Sequence, residues 1–161
     1  MSSFKRSLPS LGARDVPSGP PSIDEAREAL GGRIARSPSA RIGALARFRD
    51  ARGRDVEGVV VCETGDELDV WIGEGRLQRV ATTRAELGRM EPDHVLADVA
   101  ADARVFASLS EGQRIRFLTR DGSSHEGVLA ETCRYGALVS HESRVLAVSF
   151  RRLWPLEAEG A

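Results

Sequence analysis

The sequence predicts a mainly β fold with helical elements, in which one small β-barrel unit is used twice in tandem and joined by an α-helix. Three observations predict it. Two strand-rich stretches flank one amphipathic segment. The stretches resemble each other residue by residue. Both place Glu-Gly followed by aliphatic residues at the same point. The expected organisation is a disordered N-terminal arm at 1–21, a short helix and linker at 22–43, a first barrel at 44–90, a connecting helix at 91–110, a second barrel at 111–157 and a tail at 158–161.

Residues 1–21 carry Pro9, Pro17, Pro20 and Pro21 among Ser and Gly without apolar periodicity, the composition of a disordered arm. Ser22-Ile23-Asp24-Glu25 reads as a capping box opening a helix over 23–30, with Gly31-Gly32 as its stop. From Ala44 the pattern turns to strands. Val56, Val59, Val60 and Val61 form a β-branched run; Leu68, Val70 and Ile72 alternate with Asp69 and Trp71; Arg76 to Val80 follow the Gly73-Glu74-Gly75 turn. Thr83-Arg84-Ala85-Glu86 reads as a second capping box and a short turn of helix ending near Gly88.

Residues 92–109 read as the longest helix. Pro92 suits a first-turn position, and Val95, Val99, Ala103 and Phe106 fall on one stripe expected to pack against one or both barrels. Strands resume from 113 to 154, with turns at Asp121-Gly122 and Tyr135-Gly136.

The internal repeat emerges when Arg47-Phe48 is set against Arg116-Phe117. At that offset Gly53 meets Gly122, and Glu57-Gly58-Val59 meets Glu126-Gly127-Val128. A one-residue deletion after the second strand then aligns Glu63-Thr64 with Glu131-Thr132, Glu74 with Glu142, Arg76 with Arg144, Val80 with Val148 and Arg84 with Arg152. Glycine inside a strand marks a bend, so Gly58 and Gly127 are where each short sheet curls. Phe48 and Phe117 are expected in equivalent buried positions.

Glu111-Gly112-Gln113-Arg114-Ile115-Arg116-Phe117 through Glu126-Gly127-Val128-Leu129 resembles the opening of SH3-like small barrels, including the KOW and Tudor-like groups, over roughly 45 residues. The first unit shows the pattern more faintly. The resemblance implies binding of RNA, DNA, ribosomal surfaces or short peptides, and rarely catalysis. A PilZ barrel would need an Arg-x-x-x-Arg arm and an Asp/Asn-x-Ser-x-x-Gly turn. Arg84 and Arg89 are five apart and no such turn follows, so that function is not carried over.

Composition narrows the function classes. The net charge is −1, and the strand-rich segments 41–90 and 111–161 carry 9 basic against 9 acidic and 7 against 7 residues. Proteins held to nucleic acid by phosphate neutralisation usually show a basic domain. Arginine supplies 22 of the 23 basic residues, a bias that fits a GC-rich bacterial genome. Cys62 and Cys133 lack a C-x-x-C partner and are expected as buried thiols. His94, His125 and His141 have no metal-ligand spacing, and no nucleophile elbow or phosphate-binding glycine loop occurs. The expectation is therefore no catalytic residue, cofactor or metal. Without a signal-peptide core or a run approaching about 20 apolar residues, a cytoplasmic protein with no membrane partner is expected.

What remains is a binding surface. Arg134-Tyr135-Gly136 places the sole tyrosine at a turn beside an arginine, and Phe150-Arg151-Arg152-Leu153-Trp154-Pro155 frames a dibasic pair with aromatics. For Phe150 and Trp154 the reading is a last strand closing the barrel. For Arg134, Tyr135, Arg151 and Arg152, a solvated surface and a binding face stay open as alternatives, and Arg144 joins them as a candidate. The leading expectation is a non-catalytic binding or adaptor protein acting on a protein partner through tandem barrels. The alternative is an RNA- or DNA-binding regulator using Arg134, Tyr135, Arg144, Arg151 and Arg152. The first unit offers Asp66, Glu67 and Asp69 near its corresponding turn, so opposite electrostatics are expected there.

Overall fold

The computed structural model describes residues 22–34, 39–73 and 76–156, so the expected arm at 1–21 and tail at 158–161 lie outside the described residues. Helix α1 (Ile23–Ala29) starts at the expected capping box: the Ser22 hydroxyl accepts from the Glu25 amide, and Glu25 accepts from the Ser22 amide. Being two turns long, it needs tertiary support. Ala26 and Leu30 supply it by clustering with Cys133, Leu138 and the partly buried Ala147.

Two five-stranded antiparallel sheets follow. The first contains β1 (Leu45–Arg49), β2 (Asp55–Thr64), β3 (Glu67–Gly73), β4 (Arg76–Ala81) and β5 (Glu86–Gly88), in the order β4-β3-β2-β1-β5. After helix α2 (Ala97–Ala107), the second contains β6 (Arg114–Leu118), β7 (Ser124–Thr132), β8 (Gly136–His141), β9 (Arg144–Ser149) and β10 (Leu153–Pro155), in the order β10-β6-β7-β8-β9. The strand order is the same, element for element. Each unit also has a 3₁₀ turn before its last strand, Thr82–Arg84 in one and Phe150–Arg152 in the other.

Register makes the repeat quantitative. Arg47 pairs with Glu57 as Arg116 pairs with Glu126, and Phe48 with Val56 as Phe117 with His125. Both second strands break register at the same place, between Val60 and Cys62 and between Leu129 and Glu131. The same offset holds through Leu68 and Ala137, the partners of Glu63 and Thr132. The one-residue difference therefore falls at the end of β3, in the register shift between Trp71 and Gly73 that β8 lacks; beyond it Gly73 faces Arg76 as His141 faces Arg144. This corrects the sequence alignment: Glu63 occupies the position of Thr132, not of Glu131.

The bend glycines have a direct cause. A Cβ on Gly58 would lie 2.3 Å from the Trp71 carbonyl oxygen and 2.5 Å from Val70; on Gly127 it would lie 2.7 Å from the Ser140 oxygen and 2.8 Å from Val139. These are equivalent neighbours. Each second strand bends because the third strand's backbone crosses where a side chain would stand.

Three expectations about helices change. Thr83 to Glu86 is not a capped helix: the 3₁₀ turn has no side-chain cap, and Glu86 enters β5 opposite Arg47. Helix α2 begins at Ala97 rather than near Pro92, because His94 folds back in a turn and its Nδ1 accepts from the Leu96 amide at 3.0 Å. Val95, placed in that turn, is 87% exposed instead of packed. Val99, Ala100, Ala103 and Phe106 are buried as expected. They join residues of both sheets, Phe48 and Phe117 included, in a single hydrophobic cluster.

Candidate functional site

The candidate residues sit in three different environments. Arg134, in the β7–β8 turn, reaches the first sheet: its Nη1 donates to the Asp69 carboxylate at 3.0 Å and to the Thr64 hydroxyl at 2.8 Å. Asp69 is only 2% exposed and also accepts from Arg79 at 3.2 Å. A buried carboxylate requires such charged partners. Tyr135 is half-buried, its ring edge so close to Gly31 that a Cβ there would come within 2.7 Å. Its amide donates to the Leu30 carbonyl. Burial, and then the Asp69 charge, push its phenol above the ordinary value of 10.0.

Arg151, in the second 3₁₀ turn, donates to Asp102 of α2 at 2.7 Å and lies over the Trp71 ring of the first sheet at 5.5 Å. Phe150 is buried and meets Trp71 edge-on, with centroids 5.6 Å apart. Arg134, Tyr135 and Arg151 thus stand at the junction between the two sheets, engaged by groups of this chain. Of the acidic residues expected near the first unit's corresponding turn, Asp69 faces Arg134 directly, while Glu67 reaches Arg79 of its own sheet at 3.8 Å. Arg144 and Arg152 differ. Arg144 is exposed at the start of β9, Arg152 is half-buried at the end of the second 3₁₀ turn, and neither has a carboxylate partner among the described residues.

The outer faces of the sheets provide what the turns do not. Side chains of directly paired residues share a face, so each cross-strand row can be compared with its equivalent. On the first sheet the row Leu45–Val59–Trp71 is covered: Leu45 and Val59 are buried, β2 packs against α2, and Trp71 meets Phe150 and Arg151. On the second sheet the equivalent row, Arg114–Val128–Ser140–Val145, is open to solvent, with Val128 at 38% and Val145 at 37% exposure.

The neighbouring row diverges in charge. On the first sheet Arg47 pairs with Glu57 at 2.8 Å and Arg49 with Asp55 at 3.3 Å. With Arg84 and Glu86 these line an open groove in which positive and negative groups balance. The Arg47 guanidinium holds the Glu57 carboxyl below its usual range. On the second sheet Trp154–Arg116–Glu126 is the equivalent row, so Trp154 stands where Glu86 stands, and Leu118 and Ser124 replace Arg49 and Asp55. Arg116 lies over Trp154 at 5.9 Å. Arg114 and Arg116 share these rows with one carboxylate, Glu126, which pairs with Arg114 at 3.3 Å.

At one end of the second sheet, His125 and His141 pack around Phe117, the imidazoles edge to face with centroids 5.1 Å apart, where the first unit has Val56 and the Ile72-Gly73 register shift. Among the described residues no group of three or more metal-ligating side chains occurs. Cys62 and Cys133 are buried, and burial pushes the Cys133 thiol up to about 11, so it stays protonated and a poor nucleophile at neutral pH. No described helix is long and apolar enough to cross a membrane.

Sequence reasoning placed the candidate surface on the turns and missed the outer face of β10-β6-β7. The available signal was Trp154 aligned with Glu86: an aromatic on a solvent-facing strand position where the duplicate carries a charge. In comparisons with known proteins, the chain matches no family model, and no curated protein is significantly similar to it.

Proposed function

We propose that the protein is a non-catalytic binding protein of the adaptor kind, in which two tandem SH3-like barrels form one body and act on a protein partner. The observation that carries this reading is the occupied row on the first sheet. There the outer face of one unit already holds a helix and part of the other unit, so this five-stranded unit docks polypeptide within its own chain. The strand order, the bend at Gly58 or Gly127 and the 3₁₀ turn before the last strand support the SH3-like reading.

A nucleic-acid reading draws on Arg116, Arg152 and Trp154, which combine positive charge with a base-stacking ring. The charge balance of the whole chain and the single, half-buried aromatic of that face weigh toward protein. A gel shift with single-stranded and duplex oligonucleotides across a salt series tests the choice. The protein reading expects no low-micromolar complex near physiological salt. Such a complex, weakening steeply as salt rises, would reverse it.

A further inference from the structure

The two units differ most in what covers their equivalent outer rows, and that difference points to a ligand. Leu45, Val59 and Trp71 of the first sheet lie under α2 and the second 3₁₀ turn. The cover is amphipathic: apolar α2 side chains Val99 and Phe106 are buried in the shared core, and at its border the α2 carboxylate Asp102 accepts at 2.7 Å from Arg151 of the second 3₁₀ turn, which itself lies over Trp71. The second sheet repeats the same backbone row with none of the described residues covering it. Val128 and Val145 lie in that one row and are two of the four large hydrophobic side chains exposed among the described residues. Arg114 ends the row, and Arg116 and Trp154 stand beside it.

We infer that this open outer face, centred on Val128 and Val145 and bordered by Arg114 and Arg116, docks an amphipathic helix of a partner protein that carries carboxylates beside its apolar stripe. The inference rests on the protein-binding reading and names its site and ligand chemistry. Apolar area would come from the two valines and Trp154. Arginine guanidinium groups form charge-assisted bonds to carboxylates, and Arg116 and Arg152 have no carboxylate partner among the described residues. Arg114 shares Glu126 at 3.3 Å in an exposed pair that little energy holds. A phosphate chain fits less well, because Glu126 lies in the middle of the basic row.

The test uses the full chain and three probes: a leucine/glutamate amphipathic helical peptide, its leucine/lysine counterpart, and a single-stranded oligonucleotide. Binding is read by calorimetry and by the fluorescence of Trp154 in a Trp71→Phe background. The inference expects the glutamate peptide to bind, the lysine peptide not to, and Val128→Asp and Arg116→Glu each to weaken binding about tenfold or more, the scale of a lost charge or anchor contact. Circular dichroism of each variant separates lost binding from lost fold, and Arg47→Glu on the first sheet, which should leave binding unchanged, serves as the control. Peptide binding that ignores Val128 and Arg116 would overturn the site while leaving a protein-binding role intact. Oligonucleotide binding lost on Arg116→Glu, with no peptide binding, would overturn both readings.

Discussion

The first and second units share strand order, register, bend glycine and final 3₁₀ turn, yet no outer row has kept the same character in both. Leu45–Val59–Trp71 is apolar and covered, whereas Arg114–Val128–Ser140 is mixed and open. The charged row keeps Arg116 and Glu126 in the second unit but has Trp154, Leu118 and Ser124 where the first has Glu86, Arg49 and Asp55. Backbone geometry has thus been conserved within the chain, while each outer face has followed what lies against it. A repeat of this kind teaches most where the copies disagree, since both copies satisfy the same fold.

Breaking the shared core should produce the largest effect. Phe106 is fully buried between the sheets, and Phe106→Ala should cost about 3–5 kcal/mol. Trp154 reports the second unit and Trp71 the first sheet with its contact to Phe150 and Arg151, so denaturant melts of single-tryptophan variants should show coincident transitions. Separate transitions would mean that the units fold independently across α2. Next come the bends. Gly58→Ala and Gly127→Ala each force a backbone shift costing about 1–3 kcal/mol. Gly58 should suffer more, because its Cβ meets the crossing carbonyl at 2.3 Å rather than 2.7 Å. Equal melting shifts would show that the two bends relax alike.

The inter-unit ion pair follows. Arg134→Ala removes one of two partners of buried Asp69 and should cost about 1–3 kcal/mol, moderated because Arg79 remains. Tyr135 gives this junction its own probe. The phenol is raised in the folded protein, so its contribution to stability is present below the ordinary phenol range and is lost as pH rises through it. A spectrophotometric titration should find the sole tyrosine ionising late, and Asp69→Asn should move it earlier. An unshifted tyrosine would contradict its burial against Gly31. The smallest effect belongs to the exposed pair: a double-mutant cycle on Arg47 and Glu57 should give a coupling under about 1 kcal/mol. Acid acts in the opposite pH direction to the tyrosine. The Thr132 amide and then Arg33 depress Glu111, and Arg47 depresses Glu57, so their contributions are lost as pH falls through the carboxylate range.

Most of the strands were legible because period-two alternation and the paired Glu-Gly bends are local signals, repeated. The repeat itself was legible, but its gap was misplaced: two identical dipeptides, Glu63-Thr64 and Glu131-Thr132, outweighed a ladder that only coordinates reveal. The start of α2 was lost to Pro92 and Val95, which fit a helix by type while His94 caps a turn instead. Thr83 and Glu86 matched a capping box by spacing, although Glu86 was claimed by the β1 ladder. The junction was illegible for a plainer reason. Arg134 and Asp69 are 65 residues apart, and nothing local marks which arginine will answer a buried aspartate.

That separation has a consequence for biosynthesis. When the first sheet has emerged from the ribosome, Asp69 still lacks Arg134, and Trp71 still lacks Phe150 and Arg151. The N-terminal half therefore leaves the exit tunnel with a buried-charge site half-answered and an apolar row uncovered, the condition in which nascent chains are prone to aggregate. Completion of the first sheet waits until the second 3₁₀ turn, about 80 residues further along the chain, has been made, which lets that turn time the first sheet's assembly.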